Sequence, residues 1–105
     1  MKAGLRAYVY LLCNERRNVL YVGVTTNLRG RLYLHKKRLI PGFTRKYNVS
    51  CLVYLESFAN IEAARERERQ LKGKSRAKKN AIIELVNPLW AELAPPKQVE
   101  LDDPS

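Results

Sequence analysis

The sequence contains few of the residues that build disulfide or metal scaffolds. It has two cysteines, Cys13 and Cys51, 38 positions apart, only one histidine and no CxxC pair. A disulfide framework needs more cysteines, and a zinc site needs Cys or His ligands at short spacings, so neither is expected. Unpaired cysteines are typical of a reducing compartment, and we therefore expect a cytoplasmic protein.

Long apolar runs are also missing. The longest, residues 7–13, is far shorter than the roughly 20 residues that a membrane span requires. Nothing before it resembles a secretory signal peptide, and no basic segment is a long amphipathic helix with aromatic anchors. We therefore expect no membrane association. With 46% hydrophobic residues in a chain of 105, the composition predicts one small folded domain with a thin core.

Acidic residues are absent from residue 16 to residue 55, although this stretch holds nine Lys and Arg. Residues 1–94 contain 19 of the 20 cations and 7 of the 10 acids, a net charge of +12, whereas residues 95–105 are acidic. We predict a folded domain over residues 1–94 and an acidic, flexible tail over residues 95–105.

The charge distribution favours a polyanionic partner, above all a nucleic acid, whose phosphates basic side chains neutralise. A basic surface that only keeps a small protein soluble is the alternative. The candidate nucleic-acid-binding residues form two clusters: Arg29, Lys36, Lys37, Arg45 and Lys46, then Lys72, Lys74, Arg76, Lys78 and Lys79.

Hydrophobic patterning predicts the element order β-β-α-β-α-α, an α+β domain in which helices flank a three-stranded antiparallel sheet. Strands are expected over residues 7–13, 18–24 and 51–56, helices over residues 28–38, 61–72 and 76–87, and a loop over residues 41–50. If the first hairpin loop is residues 14–17, Cys13 faces Asn18 and Tyr10 lies opposite Tyr21 on one face of the sheet.

One polar residue interrupts an apolar helical stripe. Ile61, Ala64, Glu68 and Leu71 fall on one face of the helix over residues 61–72, so the Glu68 carboxylate points toward the core. A carboxylate in that position requires a partner, either a Lys or Arg in a structural ion pair or a metal ion.

Several other residues have ordinary explanations when taken singly. Tyr10 and Tyr21 are normal strand residues, and Arg31 and His35, four apart on a helix, fit a surface cation beside a packed imidazole. Asn87 before Pro88 is explained as a helix stop. None of these residues argues for catalysis by itself.

Taken in order, however, the set resembles the GIY-YIG nuclease superfamily. Tyr8-Val-Tyr10 and Tyr21-Val-Gly23 resemble the paired signature, with Val for Ile in both halves and Tyr8 where the first motif has Gly. Residues 23–28 and 31–35 look like the family's glycine-to-helix segment with its Arg and, four residues later, its His or Tyr. The segments at residues 42–47, 52–56, 67–72, 78–79 and 87–90 are similar to the small stand-alone bacterial branch of that superfamily.

The resemblance implies that the domain hydrolyses a nucleic-acid phosphodiester with one divalent metal ion, Mg²⁺ or Mn²⁺, and we expect DNA rather than RNA as the nucleic acid. It makes Glu68 the metal ligand, Arg31 the phosphate clamp, Tyr10 and Tyr21 the active-site phenols and His35 an auxiliary proton-transfer or positioning group. Gly23 and Asn87 become supporting residues. Such a domain is expected to be a monomer or a weak homodimer.

This chemistry is physically reasonable. Mg²⁺ keeps several waters, so one carboxylate and a substrate phosphate can hold it, and an arginine can donate to the non-bridging oxygens. A tyrosine that acts as base must have its pKa lowered by nearby cations and the metal ion, for which the local surplus of Arg and Lys is suited, and either tyrosine could be that base. The alternative function is a non-catalytic module that binds DNA or RNA through the two basic clusters and retains a nuclease fold.

Overall fold

The computed structural model describes residues 6–96. A three-stranded antiparallel sheet, ordered β2-β1-β3, is accompanied by four helices. The elements are β1 (Ala7–Cys13), β2 (Leu20–Thr25), α1 (Leu28–Lys36), α2 (Phe43–Tyr47), β3 (Cys51–Phe58), α3 (Ile61–Lys72) and α4 (Arg76–Val86). The predicted α+β class and element order are confirmed. The short helix α2 replaces part of the loop predicted over residues 41–50.

The central strand β1 is buried on both faces of the sheet. Its odd-numbered side chains, such as Val9 and Leu11, belong to a core cluster with Ala64 and Leu71 of α3. Its even-numbered side chains, among them Tyr10, pack in a second cluster with residues of α1. Because both faces are covered, β1 is continuously apolar rather than alternating.

The register between β1 and β2 differs from the prediction by two residues. Cys13 pairs with Leu20 rather than Asn18, and Tyr10 pairs with Gly23 rather than Tyr21. The cause is Asn14, whose Oδ1 accepts hydrogen bonds from the backbone N–H groups of Asn18 and Val19, so that the loop extends over residues 14–19. A shift of two preserves the faces, and both tyrosines lie on the same side of the sheet.

The helices begin where side-chain caps predict. Asn27, Asn60 and Ser75 each accept a hydrogen bond from a backbone N–H in the first turn of α1, α3 and α4. The end of α1 was predicted too late, since Lys36 is its last residue and Arg38 adopts a left-handed φ of 58°. Strand β3 continues two residues beyond the predicted end, to Phe58.

Helix α2 is a single five-residue turn held by its neighbours. Gly42 precedes it with a φ of 106°, a conformation that favours glycine, and Asn48 ends it in the left-handed region. Thr44 within the helix and Val49 after it are both buried. These buried residues attach α2 to the face of the sheet that carries Tyr10.

The segment after α4 runs back along β3. The buried Asn87 amide donates to the carbonyl oxygens of Val53 and Ala91, both at 2.9 Å, and Leu93 N–H donates to the Leu52 carbonyl at 2.8 Å. The tail predicted for residues 95–105 lies, from residue 97 onward, outside the described residues. Within residues 6–96, no helix has the length and apolarity needed to cross a membrane.

Candidate active site

The phenol of Tyr10 lies across the backbone of the neighbouring strand. Tyr10 is fully buried on β1, opposite Gly23 of β2. A Cβ at position 23 would stand 2.4 Å from Tyr10 Cζ and 2.5 Å from its hydroxyl oxygen. The ring therefore occupies the space that any other residue at position 23 would need for its side chain.

A buried chain of polar groups starts at this phenol. The Tyr10 hydroxyl is 3.1 Å from His35 Nε2, and His35 Nδ1 is 3.0 Å from Thr44 Oγ1. His35 comes from α1 and Thr44 from α2, and both side chains are buried. Because each hydroxyl can donate or accept, a neutral imidazole can hold its proton on either nitrogen while both contacts remain satisfied.

Tyr21 lies beside this chain but is only half-buried. Its ring centroid is 6.2 Å from that of Tyr10 and 5.5 Å from that of His35. The two phenols therefore share one aromatic cluster in different environments, one enclosed and the other reaching the surface.

Arg31 is exposed and lies one helical turn before His35 on α1. Within the part of the chain that the structure describes, its guanidinium forms no ion pair. Its positive charge acts on both buried groups: it opposes the increase that burial causes in the pKa of Tyr10, and it adds to the decrease that burial causes in the pKa of His35. Arg31 is thus an uncommitted bidentate donor next to the aromatic cluster.

Burial determines the charge states of the buried pair. It raises the pKa of Tyr10 well above its usual value of 10, Tyr21 and Glu68 add to the increase, and Arg31 only opposes it. Burial also lowers the pKa of His35 below 6.5, and Arg31 lowers it further. Both side chains are neutral near pH 7. Desolvation outweighs the single arginine, so the cations near Tyr10 do not by themselves lower its pKa.

Glu68 lies on α3 with its side chain 20% exposed. Ala64 and Leu71, on the same helical face, are buried, so the predicted direction of Glu68 is confirmed. Lys72 Nζ is 3.1 Å from Glu68 Oε2, one turn along the helix, and the Lys72 side chain is 56% exposed. The ion-pair alternative is therefore partly correct, but an exposed lysine is a weak and replaceable partner.

The candidate metal ligands suit a hard cation that is held weakly, and they do not form a preformed cage. Residues 6–96 contain no group of three or more His, Cys, Asp or Glu side chains placed to hold one metal ion. A single, partly exposed carboxylate fits Mg²⁺ or Mn²⁺, which retain waters and take further oxygen ligands from a substrate phosphate. Glu68 is the residue near the aromatic cluster that would supply this carboxylate.

Most of the predicted nucleic-acid-binding cations are on the surface. Lys74 and Lys79 are half-buried, and the exposed ones are Arg29, Lys36, Lys37, Arg45, Lys46, Lys72, Arg76 and Lys78. Three of them have intramolecular partners that limit this use, and one is Lys72, which pairs with Glu68. Lys36 pairs with Glu92, and the Arg76 guanidinium donates to the carbonyl oxygens of Arg17 and Asn18 at 2.9 and 3.0 Å, which ties α4 to the first hairpin loop.

Sequence reasoning missed Thr44. It lies in a segment predicted as loop, and a single threonine among cations carries no periodic signal. The only available sign was its place in the segment at residues 42–47 that resembles the stand-alone branch.

By contrast, Asn87 is bonded to backbone groups of β3 and of the chain's return segment, away from the aromatic cluster, as a supporting residue would be.

Comparison with known proteins agrees with this fold. The sequence model of the GIY-YIG catalytic domain matches residues 6–80, and the chain belongs to the GIY-YIG family. Within that family it falls among the UPF0213 proteins.

Two similar proteins illustrate the relationship. The chain is 38% identical over 77 residues to a UPF0213 protein of Natronomonas pharaonis, covering 72% of this chain and 88% of the relative. It is 36% identical over 78 residues to one of Staphylococcus haemolyticus, covering 73% and 93%. The solution NMR structure of a UPF0213 protein from Bacillus halodurans superposes with a TM-score of 0.54 and 28% identity, over 83% of this chain and 92% of that one.

Proposed function

We propose that this domain is a metal-dependent endonuclease that hydrolyses phosphodiester bonds of DNA. The observation that carries the proposal is the convergence of an enclosed Tyr10–His35 pair, the half-buried Tyr21 and the exposed Arg31, with Glu68 close enough to act on the Tyr10 pKa. Two phenols, an imidazole, a guanidinium and a carboxylate are a suitable set for phosphoryl chemistry.

The two tyrosines would have different roles. Tyr10 is enclosed and its pKa is raised, so it is a poor base and a good proton-holding partner of His35. Tyr21 reaches the surface and is the phenol placed to contact a water or a phosphate oxygen. We therefore assign substrate contact to Tyr21. The Tyr10–His35–Thr44 chain would orient the cluster and relay a proton.

Arg31 would bind the scissile phosphate. Its fork of N–H donors matches two non-bridging oxygens and can follow the charge that builds on them in the transition state. A divalent ion on Glu68 would neutralise charge on the leaving oxygen. Displacement of Lys72 from Glu68 would accompany binding of that ion, because one carboxylate cannot serve both partners at full strength.

The test is cleavage of supercoiled plasmid and of single-stranded DNA with Mg²⁺ or Mn²⁺. Replacement of one transition-state donor typically costs about 100- to 1,000-fold in rate, and we expect losses of that order for Glu68→Gln and Arg31→Ala. Glu66→Gln is the matched control, since Glu66 is an exposed glutamate on the same helix, paired with Arg69. Cleavage that survives both substitutions or survives chelator contradicts the proposal.

Metal binding has its own measurement. Titration with Mn²⁺, followed by its electron paramagnetic resonance signal, should show one weak site that Glu68→Gln removes and Glu66→Gln retains. Salt-sensitive DNA binding with no cleavage in either metal and no Mn²⁺ site would instead identify the basic binding module.

A further inference from the structure

Two exposed aromatic rings extend the buried cluster onto the surface. Phe43 is 46% exposed and Tyr47 is 43% exposed, and both belong to α2. Their ring centroids are 4.9 Å apart, and the Phe43 ring lies nearly parallel to that of Tyr21, at 24° and 6.4 Å between centroids. A continuous series of rings therefore runs from the candidate active site to solvent.

Helix α2, which carries Phe43 and Tyr47, is attached to the candidate active site by a buried contact. Helix α2 carries Thr44 between the two aromatic residues, and Thr44 is bonded to His35 inside the protein. This buried contact holds the five-residue helix in place. The positions of Phe43 and Tyr47 relative to Tyr21 therefore depend on the Tyr10–His35–Thr44 chain.

The surroundings of the rings are strongly basic. Lys46 Nζ lies 5.3 Å from the centroid of the Tyr47 ring, and Arg45 is exposed in the same turn. The acid-free stretch from residue 16 to residue 55 includes the whole of α2. Aromatic faces bordered by cations complement a nucleotide, whose base stacks while its phosphate pairs with the ammonium or guanidinium group.

We propose that Phe43 and Tyr47 form a stacking subsite for an unpaired base of the nucleic-acid strand that occupies the candidate active site. A base within a duplex presents only its edges to the outside, so rings of this kind bind bases that are single-stranded or displaced from the helix. The subsite would therefore select single-stranded or locally opened substrates. This inference rests on the proposed function in one respect, namely that the ligand is a nucleic acid. It does not require that the protein cleaves that ligand.

The experiment separates stacking from cleavage by working in chelator. The full-length protein is titrated with a single strand of about 12 nucleotides, within the site sizes typical of stacking proteins, that carries 2-aminopurine at successive positions, and with the matching duplex. Stacking on an aromatic ring quenches 2-aminopurine, and anisotropy gives the affinity. We expect quenching at one or two positions, and weaker binding when that nucleotide is replaced by an abasic one.

Variants assign the effect to the rings. Loss of one stacked base costs about 1–3 kcal/mol, so Phe43→Ala and Tyr47→Ala should weaken single-strand binding by about 5- to 150-fold and abolish the quenching, with little change for the duplex. Phe43→Leu and Tyr47→Leu keep apolar bulk if the alanine variants fail to fold, and should still lose the quenching. Tyr33→Ala is the control, since Tyr33 is also exposed beside a cation, Lys37, but on α1.

Three outcomes would overturn the inference. One is unchanged quenching and affinity in the folded Phe43 and Tyr47 variants, and another is an equal loss for the single strand and the duplex. The third is a surface that binds no nucleic acid, which would leave α2 as a contact for another class of partner. Absence of cleavage in the plasmid assay, with stacking intact, would contradict only the nuclease proposal.

Discussion

Tyr10 and Gly23 face each other across β1 and β2, and the phenol fills the volume above the glycine. This relationship explains why the second tyrosine motif ends in glycine in this chain. The Tyr10 ring, whose hydroxyl contacts His35, can lie over β2 only where β2 has no side chain. Gly23 takes no part in the chemistry itself, yet it determines where the reactive groups lie.

Replacing Gly23 with alanine should therefore damage both stability and the site. A Cβ placed 2.4 Å from Tyr10 Cζ forces the buried ring or the strand to move. Overpacking of this kind typically costs about 1–3 kcal/mol, which denaturant unfolding will measure. Gly73→Ala is the control, because its Cβ would meet backbone atoms only at 3.6 Å or beyond in an αR conformation. Equal stability of the two variants would contradict the packing argument.

The second prediction concerns Thr44. Thr44→Val keeps the shape but removes the hydroxyl that contacts His35 Nδ1. A buried polar atom left without a partner costs about 1–3 kcal/mol, and the imidazole loses the group that orients it. We expect lower stability and altered ¹⁵N shifts of the His35 ring, with Thr44→Ser restoring the wild-type shifts. Unchanged imidazole shifts in Thr44→Val would show that the chain of contacts does not form in solution.

The buried pair also predicts how stability depends on pH. His35 has a folded-state pKa below its unfolded value of 6.5, so the unfolded chain binds the extra proton first. Its contribution is fully present above about pH 6.5 and declines as the pH falls from 6.5 toward the folded-state pKa. Denaturant unfolding between pH 5 and 8 should show this slope, and His35→Gln should flatten it. A wild-type curve as flat as that of the variant would argue against a buried neutral imidazole.

Tyr10 affects the stability of the protein at alkaline pH. Its pKa is raised in the folded state, so the unfolded chain loses the proton first, and stability declines as the pH rises above 10. Tyr10→Phe removes this alkaline dependence but also the contact with His35 Nε2. The variant should therefore be less stable than wild type at pH 7 while varying less between pH 9 and pH 11.

Much of the fold was predictable because it depends on local patterns. The strand over residues 7–13 was recognisable from a run of apolar and β-branched residues, and three helices from their caps at Asn27, Asn60 and Ser75. The register error came from Asn14, because no pattern indicates that an asparagine side chain will hold two backbone N–H groups and lengthen the loop.

The candidate site, like the fold, could be predicted only in part from the sequence. Glu68 could be found from the sequence because a carboxylate in an apolar stripe is out of place at a known helical spacing. Thr44 and the stacked rings of α2 could not, because that five-residue helix is formed by tertiary contacts and not by periodicity. The raised pKa of Tyr10 could not be predicted for a related reason, since burial depends on packing that counting nearby cations does not show.

The last prediction concerns the ion pair between β3 and α3. Arg67 donates to both carboxylate oxygens of Glu56, at 3.0 Å from Nε to Oε1 and 3.1 Å from Nη2 to Oε2, and the Tyr54 hydroxyl donates to the same carboxylate. Burial and Glu56 together raise the pKa of Tyr54 to about 12, so that its proton is retained. The three side chains thus fix the helix that carries Glu68 against the sheet.

Arg67→Lys keeps the charge but cannot reproduce the planar two-point contact. We expect a loss of about 1–2 kcal/mol in the free energy of unfolding, since the pair is partly buried and a lysine cannot contact both carboxylate oxygens as the arginine does. Arg69→Lys, at the exposed pair with Glu66, should change stability by less than about 0.5 kcal/mol. If the two substitutions have equal effects, α3 is held by its apolar face alone, through Ala64 and Leu71, and the position of Glu68 does not depend on Arg67.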